Sequence, residues 1–371
     1  MAHEAEQILP WIGLSSIPGV GRATFRKLVA RFGSPALVLS ASADELAGTG
    51  GVPGKVAQAI ATFPWREPAE QELARAATAG VAIITDADPA YPPALKSAAD
   101  APLFLYVRGA LLPQDHASVA VVGTRTPTHY GLTVTHRMAY EIAAAGLTVV
   151  SGMARGIDTQ AHKGALDARG RTIAVLGCGI DVPYPPENRS LMERIAASGA
   201  VVTENPFGTR PESGYFPARN RIISGLAAGT IIIEASTDSG SLITADYTLK
   251  QGRKLFAVPG NVGSPTSRGP NSLIKQGAVL VETSRDVLGI LGGAPAAPSA
   301  QRVTAALPPL TDEEQKVFAA VTGDPKHIDV ILAESGSLPG RLGGILTTLE
   351  LNGLIRQLPG KYFVRDSGTR V

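Results

Sequence analysis

Six apolar runs in the middle of the chain end in clusters of small and polar residues: Gly123-Thr124-Arg125, Ser151-Gly152-Met153-Ala154-Arg155-Gly156-Ile157-Asp158, Gly177-Cys178-Gly179-Ile180-Asp181, Glu204-Asn205-Pro206, Glu234-Ala235-Ser236-Thr237-Asp238-Ser239-Gly240-Ser241 and Pro259-Gly260-Asn261. Small residues let a ligand approach the backbone, and helix N-termini beyond such loops favour anions. Gly123, Ser151, Gly152, Gly156, Gly177, Ser239, Gly240 and Ser241 are the candidate backbone and hydroxyl contacts. Arg125, Arg155, Lys163, Arg219 and Arg221 lie in or just after the same loops, more cations than a mononucleotide's phosphates require. A polyanion fits them better. Tyr215 and Phe216 stand immediately before Pro217-Ala218-Arg219-Asn220-Arg221, so an aromatic face adjoins cations and the amide of Asn220. That pairing suits a single strand, whose exposed bases stack on aromatic rings at about 1 to 3 kcal/mol each. The bland alternative for Arg219 and Arg221 is a structural pair with Glu204 or Glu234, and for Arg125 a surface turn.

Other chemistries fit less well. The dinucleotide fingerprint fails twice: Val182 stands where the third Gly after Gly177 and Gly179 belongs, and Thr24 where it belongs after Gly19 and Gly21. A phosphate-loop nucleotide site is a near miss, with Thr49 in place of Gly and Val56 in place of a hydroxyl residue. The six histidines are dispersed, and His162, four residues after Asp158, more simply satisfies its neighbour than ligates a metal. Neither a metal nor a cofactor is expected. Ser151, Ser239 and Ser241 lack a sequence neighbour to act as base. Cys178, between two glycines, reads as a small packed residue.

The elements that must position these loops are short, β-rich and apolar: Ala82–Thr85, Leu103–Val107, Val119–Val122, Leu147–Val150, Thr172–Leu176, Ala200–Thr203, Thr230–Ile233, Leu255–Val258 and Ala278–Val281. From the third onward they are separated by segments long enough for crossover helices. The pattern predicts an α/β fold, an extended Rossmann-like doubly wound parallel sheet over residues 67–292 with ligands at the carboxyl ends of its strands. Residues 1–66 read as a small helical module. Ile17-Pro18-Gly19-Val20-Gly21 precedes a helix at Arg22–Phe32, and Gly51-Val52-Pro53-Gly54-Lys55 precedes another at Val56–Phe63, a weak repeat resembling paired helix-hairpin-helix units. Gly19, Gly21, Arg22, Arg26 and Lys27 are therefore candidate secondary phosphate contacts. Residues 293–309 have a linker's Ala, Pro, Ser and Gly, and residues 310–371 read as three helices and a hairpin, a winged helix. Its third helix carries only Arg341 as a basic residue, which favours contact with protein over duplex DNA.

Composition narrows the class. With 34 Lys and Arg against 32 Asp and Glu, the formal net charge of +2 excludes a histone-like polyelectrolyte and an acidic disordered chain. One cysteine excludes an intrachain disulfide and suits a reducing compartment, with the cytoplasm the expected location. No apolar run approaches the roughly 18 residues of a membrane span, and residues 1–7 lack the pattern of an export signal.

Taken together, Ser151-Gly152-x-Ala154-Arg155-Gly156-Ile157-Asp158 with Ala161-His162, Thr172 through Asp181 with Tyr184-Pro185, Phe216-Pro217-x-Arg219-Asn220-Arg221-Ile222-Ile223-x-Gly225-Leu226, Ser239-Gly240-Ser241-Leu242-Ile243-Thr244-Ala245 and Val258-Pro259-Gly260 resemble the DNA-processing protein A (DprA/Smf) family over about residues 80–290. The resemblance implies a single-stranded DNA-binding recombination mediator without catalysis. Such a protein protects incoming DNA during natural transformation and loads the RecA recombinase, with single-strand-binding protein as a further partner. It also implies a homodimer through the Rossmann-like domain, and DNA contact by the arginine of the Gly-x-Arg turn, here Arg125. The rival is a nucleotide or phosphoribo-hydrolase on a related sheet. Its Pro-Gly-Gly-x-Gly-Thr loop is not matched, and Glu234 would be its one obvious acid. A duplex-binding regulator acting through the winged helix is a third reading.

Overall fold

The computed structural model describes residues 2–292, 310–352 and 354–365. The first of these segments belongs to one compact unit and the other two to a second. The expected linker at 293–309 lies outside the described residues.

The first unit opens with six helices, α1 (Ala2–Ser16), α2 (Arg22–Phe32), α3 (Pro35–Ser40), α4 (Ala43–Ala47), α5 (Gly54–Thr62) and α6 (Arg66–Thr78). A sheet with alternating helices follows: β1 (Val81–Thr85), α7 (Pro93–Lys96), β2 (Phe104–Gly109), β3 (Ser118–Val122), α8 (His129–Ala144), β4 (Thr148–Ser151), α9 (Ile157–Asp167), β5 (Thr172–Val175), α10 (Arg189–Ser198), β6 (Ala200–Thr203), α11 (Tyr215–Leu226), β7 (Gly229–Ile232), α12 (Gly240–Lys250), β8 (Lys254–Ala257), α13 (Arg268–Lys275), β9 (Val279–Leu280) and α14 (Ser284–Leu291). Every strand lies within two residues of its expected span, because strands buried on both faces must be continuous apolar runs.

The strand order is β1-β2-β6-β5-β4-β3-β7-β8-β9. The seven strands from β6 to β9 in that order are parallel, while β2 pairs antiparallel with β6 and β1 antiparallel with β2. The connection from β1 to β2 carries only the four-residue α7 in place of a helix that could cross the sheet's face, and β2 alone runs against the other strands of the expected parallel sheet. The chain winds outward from β3 through β6, returns beside β3 as β7, and winds the other way. The carboxyl ends of β3 and β7 therefore flank the topological switch point, where open sheets bind ligands.

Helices cover both faces. Val119, Val121, Val149 and Ile231 pack against Val134, Met138 and Ile142 of α8 and Ile157 and Ala161 of α9. On the other side Ala120, Val122, Val150 and Val175 pack against Ile222, Ile223 and Leu226 of α11. Full burial of each large aliphatic side chain contributes about 1.5 to 3 kcal/mol, enough to fix which residues face the strand ends. The N-terminal helices are not separately cored: Leu14, Phe25, Leu28 and Ile60 join one apolar cluster with Phe104, Tyr106, Leu176 and Met192. The expected boundary at residues 66 and 67 thus crosses a continuous core. Helix α6, not singled out in the sequence, makes the junction.

The second unit comprises α15 (Asp312–Ala320), β10 (Lys326–His327), α16 (Ile328–Ser335), α17 (Pro339–Leu351), β11 (Ile355–Leu358) and β12 (Tyr362–Arg365), with strand order β10-β12-β11. This is the expected winged helix, cored by Val317, Ile331, Leu346 and Phe363. Thr311 and Glu314 close a reciprocal capping box that starts α15. Among the described residues no helix is long and apolar enough to cross a membrane.

Candidate nucleic-acid interface

The loops after β3, β4 and β7 are stitched together by their backbones. Thr124 N donates to Glu234 O at 2.7 Å, and Ile157 N donates to Thr124 O at 3.2 Å. Several of their glycines are small because protein, not ligand, occupies the space. A Cβ at Gly123 would fall 2.7 Å from Ile157 Cγ1, and one at Gly152 would fall 2.7 Å from both Arg219 Nη2 and Asp158 Oδ2. Gly177 is covered by the Phe216 ring in the same way. Gly156, at φ +77°, takes the left-handed turn that starts α9. Met153 adopts φ +64° without being glycine, a strained conformation held by its burial. Gly240 differs, with nothing near its missing Cβ.

These loops and the start of α11 enclose a groove of about 620 Å³. Of the candidate contacts it brings together Gly123, Arg125, Phe216, Arg219, Asn220, Ser239, Gly240 and Ser241. At its mouth the exposed Arg125 guanidinium lies 5.3 Å from the centre of the Phe216 ring, which packs at 5.4 Å against Tyr184. A cation and aromatic rings therefore form one surface. The groove is also lined by the start of α12 at Gly240, with Ser239 Oγ accepting from Ser241 N at 3.4 Å. No acid occupies the first turn of α12, so its positive end favours an anion.

Arg219 forms the floor. It is 5% exposed, donates from Nη1 to Gly152 O at 2.7 Å and to Val175 O, and from Nε to Asn220 Oδ1 at 3.2 Å. Burial lowers its pKa to about 10. Beside it the Asp158 carboxylate accepts from Ala154 N at 3.3 Å. Burial pushes Asp158 up to about 6, against the opposing pull of Arg219. Asp238, the second groove carboxylate, is exposed at the mouth.

The remaining candidates lie elsewhere. Ser151 is buried and donates to Val121 O at 2.7 Å. Arg155 is exposed but paired with Glu187, Lys163 is exposed on α9, and Tyr215 is exposed at the start of α11. Arg221 requires correction: it is 2% exposed and paired with Glu204, the structural role left open above. Arg22 and Arg26 are partly engaged by the sheet domain: Arg22 Nη1 donates to Asp100 O at 3.0 Å, and Arg26 donates to Ala99 O at 2.9 Å and Ala101 O at 2.8 Å, while both side chains keep an exposed part. Lys27 lies over Gly51, Gly19 packs on Val56, and Gly21 caps α2 in open space.

Sequence reasoning did not assign Tyr184, Ser213, Ser236 or Asp158 to the groove that they line. Tyr184 and Asp158 stood within recognised motifs, so proximity to those motifs was the available signal. His162 is fully buried, with Nδ1 2.7 Å from Thr172 Oγ1, and burial lowers it to about 3. Among the described residues no three metal-ligating side chains cluster. Glu234 does not line the groove; its carboxylate accepts from N at 2.8 Å and Oγ1 at 2.6 Å of Thr128, the N-cap of α8.

Residues 82–292 match the family described as DNA recombination-mediator protein A, residues 295–361 the DprA winged helix domain, and residues 12–62 the SAM-like helix-hairpin-helix tandem. The chain is 36% identical over 320 residues to Protein Smf of Synechocystis, covering 76% of this chain and 79% of that one. It is similar to the crystal structure of DNA processing protein A from Streptococcus pneumoniae, with a TM-score of 0.67 and 32% identity over 77% of this chain and 96% of that one. A structure of DNA processing protein A from Helicobacter pylori, described for its single-stranded DNA binding mode, aligns with a TM-score of 0.50 and 33% identity over 54% and 92% of the two chains.

Proposed function

From the premise that the chain belongs to the DNA recombination-mediator protein A family, we propose that it binds single-stranded DNA in the groove at the sheet's switch point and performs no bond-making there. The observation that carries this reading is the surface formed by Arg125, Phe216 and Tyr184 in the groove that the N-terminus of α12 also lines. A phosphate meets the guanidinium and the helix end, and a base meets the rings. Duplex DNA keeps its bases stacked inward and offers them no such face. Asn220, Ser239, Gly240 and Ser241 supply polar contacts along the groove.

The absence of catalysis is proposed on the chemistry of the site. Glu234, the acid that a hydrolase reading needs, is buried and held by Thr128. Incubation with nucleoside monophosphates is expected to release no free base, and release would overturn this part. The winged helix is proposed as a protein-contacting module, since Arg341 pairs with Glu313 at 3.2 Å and Arg365 lies over Phe318. On the family's pattern the bound strand passes to the RecA recombinase in the cytoplasm, with displacement of single-strand-binding protein, during natural transformation. Exposed Ile243 and Leu249 on α12 and Leu280 on the edge strand β9 support a homodimer through the Rossmann-like domain. Titration of labelled single-stranded and duplex oligonucleotides tests the groove, and RecA filament growth on a protein-coated strand, with and without this chain, tests delivery.

A further inference from the structure

The loop of residues 204–214, between β6 and α11, forms one wall of the groove through Pro211 and Ser213 and runs directly into Tyr215 and Phe216. Its stem is tied to the sheet domain from within. Gly208 N donates to Asp181 Oδ1 at 2.9 Å, Gly179 N donates to Thr209 O at 2.9 Å, and Arg221 pairs with Glu204. The same stem is gripped from outside by the N-terminal helices. Glu72 on α6 is 9% exposed and accepts from Phe207 N at 2.8 Å. The Phe207 ring meets Tyr106 edge-on at 5.8 Å. From α2, Arg22 Nη1 approaches Glu204 Oε2 at 3.8 Å while bonded to Asp100 O.

These contacts place a carboxylate and an arginine of the N-terminal module on the stem of the loop whose far end, at Pro211 and Ser213, lines the groove. A loop held in its bound form before the strand arrives does not charge the cost of its ordering to binding.

We propose that the N-terminal helical module is a clamp on the groove: Glu72 and Arg22 hold loop 204–214 in the strand-receiving position and strengthen single-strand binding without touching the strand. Both are positioning residues. The inference rests on the reading of the groove as a single-strand site.

The experiment compares the intact chain with Glu72→Leu, Glu72→Gln and Arg22→Ala, titrated with labelled oligo-dT over a range of salt concentrations. Glu72→Leu removes the acceptor for a buried N–H and is expected to weaken binding about three- to tenfold. Glu72→Gln retains a carbonyl oxygen for Phe207 N and keeps most of the affinity. Arg22→Ala, at a partly exposed position whose loss leaves the fold intact, weakens binding about two- to threefold. In all three, the slope of log K against log salt stays that of the parent chain. Two outcomes overturn the clamp: Arg22→Ala reducing that slope by about 0.7, the signature of a lost phosphate contact, or both Glu72→Leu and Arg22→Ala binding as tightly as the parent. Failure of the parent chain itself to bind oligo-dT would overturn the groove reading, and the clamp with it, and is separately visible.

Discussion

Arg125→Ala probes the groove most sharply, because its effect can be worked out before it is measured. Arg125 is exposed at the tip of its loop, and its guanidinium lies over Phe216 at 5.3 Å. An exposed cation–π contact contributes about 0.5 to 1 kcal/mol, so its loss leaves the fold intact and lowers the melting temperature by a few degrees at most. If the guanidinium neutralises one phosphate of a single strand, its removal reduces the slope of log K against log salt by about 0.7. Referred to 1 M salt, that slope corresponds to about eightfold weaker binding at 0.05 M and about fourfold at 0.15 M. The loss should be the same for all sequences, since a phosphate contact carries no base information. Fluorescence anisotropy with labelled oligonucleotides at several salt concentrations reads both quantities. A variant that binds more weakly with an unchanged slope would refute the phosphate role, and one that binds equally well would remove Arg125 from the site.

Phe216→Leu is expected to weaken binding by about 1 to 3 kcal/mol while leaving the salt slope unchanged, because it removes a stacking face and no charge. Asp158 titrates at about 6 in the folded chain, so between about pH 4 and pH 6 the folded state holds a proton that the unfolded state has lost. Stability therefore falls as pH rises through that window, by about 3 kcal/mol in all, and denaturation of Asp158→Asn should show that segment of the curve flattened. Arg221→Ala empties the space of a buried side chain and takes the nearest cation from the half-buried Glu204, which keeps Arg22 at 3.8 Å, and is expected to destabilise by about 2 to 5 kcal/mol, with no change in salt slope for the variant that remains folded. Gly152→Ala, whose Cβ would fall 2.7 Å from Arg219 Nη2 and Asp158 Oδ2, should lose both stability and binding, whereas Gly240→Ala, in open space, should melt like the parent.

The strands were legible because their physics is local: a segment buried on both faces has to be apolar throughout, and each such run also announces the loop that follows it. The reversed direction of β2 is set by its pairing with the distant β6 and was not read. Helix α6 was passed over because its exposed face makes Arg66–Thr78 polar on average, and only packing reveals Ala69, Glu72 and Ala76 as buried. The groove's loops were found by their Gly and Ser content, yet composition could not separate a glycine that admits a ligand from one that admits a neighbouring side chain, as at Gly123 and Gly152. Nor could it sort the arginines. Arg219 and Arg221 are two residues apart, but on a helix that spacing turns them to different sides, one beneath the groove and one towards Glu204. The joining of Tyr184 to Phe216 and of Glu72 to Phe207 links distant segments, which only the tertiary fold brings together.

The central claim is that the groove accepts a flexible strand through its phosphates and an exposed base. Competition between a single-stranded oligonucleotide and its own duplex for the intact chain, at moderate salt, tests it most directly. The account requires the single strand to displace bound label while the duplex fails to do so, and it requires that preference to shrink in Arg125→Ala and Phe216→Leu. Equal displacement by the duplex, or a preference untouched by both substitutions, would contradict it.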